Sequence, residues 1–501
     1  MKKILLITLT IFLMFIFIGC NQDLSESTNT DKENDDLVTP VDNQNDDSSA
    51  ENNGDQDLND LEDDENGNQN LDDVEDNGDD DNSNNEDDTN ENDNQEEQDV
   101  IKQLNQVVYQ SRRGNRDNDY LDRLQKASFK LYDLIKTEGK GNKENYVISP
   151  VSLYMSFAML YYLGDETVKA EIIELLELSE EDMYFKERVF ELLVNHSTHS
   201  SQSTRDIDLI NSIWLDNDLD INYNQNVLDA LANELYCYAY EAPFQTDIQK
   251  ANEAIRDFIK EKTNGAIDKN FNFSPETIFT LINTIYFKDA WVDDLRELSS
   301  KQDVFHMDVS DIMCEYLYGK YFNGVEKSDE IARSMFTCTT NGYVLHFIVP
   351  NEGHTLDEAM DSNHLYDFLK IDSPTRIGNV YYHTRVIFPK YKVESTTEVR
   401  DILVNKNYLQ NTSSIFFSDL TGEQPLAVDR IRHDVVLDVD KKGIEGAAVT
   451  IMDMKAGAGI GGKEEIEEVY LDFVVDKNFG FVLCDPRGIV LFMGEVTNPN
   501  A

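Results

Sequence analysis

Between residues 21 and 100 the chain carries 32 acidic residues, a single basic one (Lys32) and very little that is apolar. A segment of this kind cannot bury enough surface to offset the entropy lost on folding, so disorder is expected there. The tract divides the chain into a short front end, a charged tether expected to run from residue 21 to 117, and a folded part expected over 118–501. Of the formal charge of −55, the tract holds −31, and residues 101–501 still carry −26. A polyanion of this sort is repelled by DNA and RNA, whose binding rests on cationic contacts to phosphate, which excludes nucleic acid as a partner. Calcium is the other obvious ligand for an acidic tract. The nearest match to a calcium loop is Asp73-x-Glu75-x-Asn77-Gly78, but the position that needs a bidentate Glu holds Asn84. The tract therefore reads as a solvated tether, and a neutral chain of its length would span about 50–60 Å, more with self-repulsion.

The front end, Met1–Cys20, begins with Lys2 and Lys3 and continues with an apolar run of 15 residues from Ile4 to Ile18, interrupted only by Thr8 and Thr10. That run is short for a bilayer span of about 20 residues and has the shape of a secretory signal. Phe17-Ile18-Gly19-Cys20 resembles the bacterial lipobox, with Ile18 and Phe17 replacing the usual small residue and leucine. The expectation is lipidation of Cys20 and anchoring of a secreted protein to a bacterial membrane; the alternative is plain cleavage that leaves a thiol. The remaining cysteines (Cys237, Cys314, Cys338 and Cys484) are too few for a disulfide scaffold and are expected to be buried thiols.

In the folded part, Leu121, Leu124, Leu131 and Ile135 follow helical spacing, and Gly139-Lys140-Gly141 ends the run. Ser149 can cap a second helix with Pro150 at its first position and Gly164 as its stop. Strand-like runs follow at 279–287, 343–349, 381–388, 434–439, 469–475, 479–483 and 489–496. Helices early and strands late, without βαβ alternation, predict an α+β fold.

Nothing announces an enzyme. The chain has no G-x-S-x-G elbow, no Walker loop and no H-E-x-x-H. His196 and His199 could face a metal, but no neighbouring residue completes a ligand set, and no metal or cofactor is expected. Gly457-Ala458-Gly459-Ile460-Gly461-Gly462 satisfies a dinucleotide fingerprint, with Asp476 some 19 residues on. The helix that should follow would be confined to 463–470, and too little chain remains after Gly462 for further βαβ units. The alternation just upstream is more informative. Ile444, Gly446, Ala448, Thr450, Met452, Met454 and Ala456 would share one face of a strand, uncharged and mostly small. That face is fit for burial, yet the strand runs straight into glycines that cannot be core.

Here the chain resembles a serpin over nearly all of 118–500. Gly443, Ile444, Glu445, Gly446, Ala447, Ala448, Val449 and Thr450 are similar to the family's loop hinge. Phe492-Met493-Gly494-Glu495-Val496 is similar to its last strand, and Asn283-Thr284-Ile285-Tyr286-Phe287 leading to Trp291 to the central-sheet strand that enters the breach. Asn145, Ser149 and Ser152 match the start of the helix beneath the sheet, and His433 lies where the family places its shutter histidine. Phe388-Pro389-Lys390 and Lys262-Thr263-Asn264-Gly265 add two further matches. The chain departs from the pattern at Lys441, where the family usually has Glu, at Ile444 in place of Thr or Ser, and at Asn478 in place of Pro. An acidic insert, Glu464-Glu465-Ile466-Glu467-Glu468, lengthens the stretch after the loop.

The resemblance implies about nine helices on three sheets, a reactive-centre loop over about 441–470, and no catalytic residue. A serine protease would attack the loop, and the cleaved loop would insert into the main sheet and trap the acyl-enzyme. Family spacing from Gly443 puts the reactive bond at Gly457–Ala458, a bait for elastase-like or subtilisin-like enzymes; Lys455 and Lys463 are the alternatives for trypsin-like ones. The protein is expected to act as a monomer outside the cell. The competing reading is a non-inhibitory surface binding protein of the same fold, whose loop is cut without trapping.

Overall fold

The computed structural model describes residues 101–108, 118–184, 206–219, 221–265, 267–292, 298–411, 418–422, 428, 430–444 and 467–501. Cys20, the acidic tract up to residue 100, the His196/His199 pair, the Gly457–Gly462 run, the reactive bond Gly457–Ala458 and hinge residues Glu445, Gly446, Ala447, Ala448, Val449 and Thr450 lie outside the described residues.

Among the described residues ten helices and three sheets form. The main sheet has seven strands, in the order Lys102–Gln103, Cys237–Ala242, Asp206–Asp216, Phe279–Ala290, Gly443–Ile444, Arg430–Val439 and Tyr391–Glu398. A second, six-stranded sheet is antiparallel throughout and runs from Asn145–Ile148 through Val490–Val496, Phe479–Cys484, Val344–Pro350 and Ala332–Cys338 to Lys327–Ser328. The third is built on Val380–Pro389, with Asp311–Tyr318 antiparallel on one side and Glu467–Val474 parallel on the other.

The second helix, Pro150–Leu163, starts as its sequence predicts. Ser149 caps it by accepting from the Ser152 N–H, Pro150 fills the first turn, and Gly164 follows the last residue. It is buried on nearly every side because it runs beneath the main sheet through the principal core. The first helix, Asn118–Lys140, is tied to the far end of the chain: Tyr132 Oη and Lys140 Nζ each donate at 2.7 Å to the buried carboxylate of Glu495 in the C-terminal strand. A smaller cluster covers the opposite face of the main sheet. There Phe258 of helix Ile248–Lys262 packs edge-on against Trp214, Tyr238 and Tyr240.

The boundary of the tether needs correction. It was expected to reach residue 117, but Lys102–Gln103 is already an edge strand paired to Glu241 and Tyr240. Asn105 is buried and secures this strand: its Nδ2 donates to the Leu228 and Cys237 carbonyls, and its Oδ1 accepts from the Ala239 N–H. Ile101, Leu104 and Val107 supply the apolar contacts. A two-residue strand is too short to show an alternation that pattern could reveal. The four cysteines of the folded part are buried thiols, as expected.

Candidate functional site

The site is a seam in the main sheet. Strands Phe279–Ala290 and Arg430–Val439 run parallel, but they pair directly only where Thr280–Asn283 meets Arg430–His433. At the other end the pair Gly443–Ile444 stands between them as a wedge, antiparallel to both, with Ile444 opposite Asp289 on one side and Val439 on the other. Between these two contacts, residues 284–288 and 434–438 have no ladder partner across the seam among the described residues. A cavity of about 80 Å³ lies there, lined by Ile285, Phe287, Val436 and Leu437 among others. Backbone groups without a ladder partner among the described residues are an acceptor for a strand.

The wedge is held by its own turn. Asp440 Oδ1 accepts from the N–H groups of Lys442 and Gly443, and the Asp440 N–H donates to the Gly443 carbonyl. Trp291 closes the end of the seam: its Nε1 donates at 2.7 Å to the Asp440 carbonyl, and its ring sits edge-on to Phe388. Gly443 is required because a Cβ there would fall 2.2 Å from the Asp289 carbonyl oxygen. Ile444, expected as a bulky departure from the hinge pattern, is fully buried. Its burial fixes which alternate residues of the downstream segment would face inward if the strand continued.

The closed end of the seam is latched by buried polar side chains. The Ser149 N–H donates at 2.9 Å to His433 Nε2. Ser152 Oγ donates to Asn283 Oδ1, Asn283 Nδ2 to Asn211 Oδ1, and Asn211 Nδ2 to the Leu235 carbonyl at 2.8 Å. Asn283 and His433 are direct partners in the parallel ladder, so one residue pair carries both the strand contact and the latch. Burial holds the His433 imidazole at about 4, against a weak pull upward from Asp434. It is therefore neutral and able to accept from Ser149.

The structure thus brings together Ser149, Ser152, Asn283 and His433 at one end and Gly443, Ile444 and Trp291 at the other. Asn145 belongs to neither group. Its side chain instead accepts from the Thr497 and Asn498 N–H groups and donates to the Asn498 carbonyl, holding the C-terminus. Asn211 was not anticipated. The available signal was an amide in the middle of a strand whose alternate residues Ile207, Leu209, Ile213 and Leu215 are all core.

The family model described as Serpin (serine protease inhibitor) matches residues 122–499. The chain belongs to the serpin family. Bovine Serpin A3-2 is 29% identical over 391 residues, covering 74% of this chain and 87% of that one. A serpin-like protein of Methanosarcina acetivorans is 22% identical over 384 residues, covering 74% and 86%. The fold is also that of the thermophilic serpin tengpin in its native state, with a TM-score of 0.62 at 21% identity, covering 78% of this serpin and 97% of tengpin. Thyroxine-binding globulin in complex with thyroxine aligns with a TM-score of 0.61 at 18% identity, covering 75% and 99%. Serpins are generally protease inhibitors rather than catalysts.

Proposed function

We propose that this serpin is a suicide inhibitor of extracellular serine proteases whose cleaved loop fills the seam. The observation that carries the reading is the gap in the ladder, five residues long on each strand among the described residues. With the register of Gly443–Ile444 kept, Glu445–Val449 falls opposite the five unpaired residues on each side, 284–288 and 434–438. Gly446 would then meet Phe287 and Leu437, and Ala448 would meet Ile285, so the smallest side chains of the hinge fall against the bulky lining of the cavity.

The chemistry is the protease's. Its serine oxygen attacks the Gly457 carbonyl carbon, the bond to the Ala458 nitrogen breaks, and the new amine leaves with a proton from the protease's general acid. The acyl-enzyme so formed is trapped if the loop inserts before water attacks the ester. Elastase-like and subtilisin-like enzymes suit the Met-Lys-Ala-Gly-Ala bait. Incubation with a panel of serine proteases, read on a denaturing gel and by mass, should give a covalent complex and a 44-residue fragment beginning at Ala458. A fragment beginning at Ala456 or Glu464 moves the bond to Lys455 or Lys463, and cleavage without any complex refutes trapping.

The second reading, a surface binding protein whose loop is only cut, is favoured by Lys441 and by the bulk of Ile444 at the hinge. The fold accommodates such a role, since thyroxine-binding globulin shares it. Either way we propose that the protein acts as a monomer, exported and anchored through lipid on Cys20. Cys20→Ala should then lose lipid labelling and fail to be processed at that site; processing and membrane retention that both match wild type refute the anchor.

A further inference from the structure

The strand Glu467–Val474 leaves the reactive loop and forms an outer edge of the third sheet, parallel to Val380–Pro389. Its exposure does not suit an ordinary edge. Tyr470 is 56% exposed, yet its ring is fixed on two sides: it stacks on His383 at 4.8 Å between centroids and stands perpendicular to Tyr321 at 5.2 Å. Arg385 underlies the group. It lies over the rings of Tyr318 and Tyr321 and donates twice to the carboxylate of Asp472, which also accepts from Tyr321 Oη. The Tyr470 hydroxyl donates to Glu468 at 2.9 Å, and Glu467 beside it is exposed.

We propose that this platform is a second contact for the protease that cuts the loop, and that it receives a lysine or arginine from the protease's surface. The occupant follows from three features. A ring held in place while more than half exposed, next to carboxylates, is what attracts an alkylammonium or guanidinium group. The internal cation, Arg385, is already paired with Asp472, so it does not compete for Glu467 and Glu468. The strand is continuous with the loop: Tyr470 follows Ala458 by 12 residues, at most about 40 Å of extended chain, within the reach of a protease engaged at the bond. The net charge of −26 over residues 101–501 adds attraction for a basic partner at long range.

The proposal rests on the reading of the loop as a protease bait but not on trapping, and the test separates the two. The rate constant for attack of a cationic elastase on the intact protein is measured as total loop cleavage, whether it ends in complex or in cut chain, at low and at moderate salt. A peptide spanning residues 450–463 serves as a substrate without the platform. Tyr470→Ala and Glu468→Gln should each slow attack on the intact protein by about three- to tenfold at low salt, with a smaller difference at higher salt. Tyr470→Phe should retain most of the rate, and the fraction of attacks ending in complex should not change. Melting temperatures equal to wild type exclude a folding effect, since the substituted groups lie at the surface. Rates for Tyr470→Ala and Glu468→Gln equal to wild type at low salt overturn the platform even if trapping is intact. Absence of complex in every variant, with the rate differences present, overturns trapping alone.

Discussion

Thr450→Arg is expected to be cut at the same bond and at nearly the wild-type rate, yet to form little covalent complex. In the register set by Gly443–Ile444, Thr450 is the first loop residue past the unpaired stretch, and it falls opposite both Asn283 and His433. Insertion up to Val449 runs along residues 284–288 and 434–438, which have no ladder partner across the seam among the described residues. Insertion of residue 450 must part the ladder and displace the latch of Ser149, Ser152, Asn283 and His433. Direct partners across a sheet share a face, so the side chain at 450 would enter beside a neutral imidazole and two amides. A guanidinium finds no carboxylate among those partners, and an unpaired buried charge costs several kcal/mol. A barrier raised by about 3 kcal/mol slows insertion about a hundredfold, enough for hydrolysis of the acyl-enzyme to win. The protein becomes a substrate, with little gain in heat resistance after cleavage. Ile451→Arg, which faces the other way, should trap far better. Equal amounts of complex from Thr450→Arg and wild type, counted as inhibitor consumed per protease inactivated, would rule out insertion through this seam.

Much of this arrangement could be read from the chain because the relevant residues break a local pattern. Ser149-Pro150 marks a helix start whatever the fold, and the uncharged face from Ile444 onward cannot be a surface strand without purpose. The long apolar strands, such as Phe479–Cys484 and Val490–Val496, were legible to within a residue or so because both faces are core. Strands whose burial is one-sided or slight were not. In Ser299–His306 only Phe305 is fully buried, and in Tyr391–Glu398 the apolar alternation of Tyr391 and Val393 gives way to Ser395 and Thr397 at the next inward positions, so neither shows a sustained apolar period. The latch was legible only in part. Ser149, Ser152, Asn283 and His433 came from resemblance, whereas Asn211 and the Asp440 turn depend on register between distant strands, which no local window contains. The same applies to Lys102–Asn105, whose partners lie more than 120 residues away.

Acidification should open the latch. His433 is buried at 2% exposure, and its folded value of about 4 lies below the usual 6.5 because burial disfavours the charged ring; Asp434 opposes this only in part. The sign follows directly. Above pH 6.5 the ring is neutral in both folded and unfolded chains, and its contribution to stability is fully present. As pH falls from 6.5 toward 4 the unfolded chain takes up a proton that the native fold resists, and about 3 kcal/mol is lost across that window. Protonation also has a local effect, because an imidazolium cannot accept from the Ser149 N–H. The ladder pair His433–Asn283 then loses its tie to the helix beneath, at the point where the seam must part. His346, also held low by burial, adds to the loss of stability but lies in a different sheet. His433→Gln separates the two, since an amide oxygen can accept from Ser149 and does not titrate. Wild type should show a falling denaturation midpoint and an accelerating spontaneous loss of inhibitory capacity between pH 6 and 4.5. In His433→Gln both slopes should be markedly shallower, with the part due to His346 and the carboxylates remaining. Identical pH profiles for the two proteins would show that the seam is not latched through this imidazole.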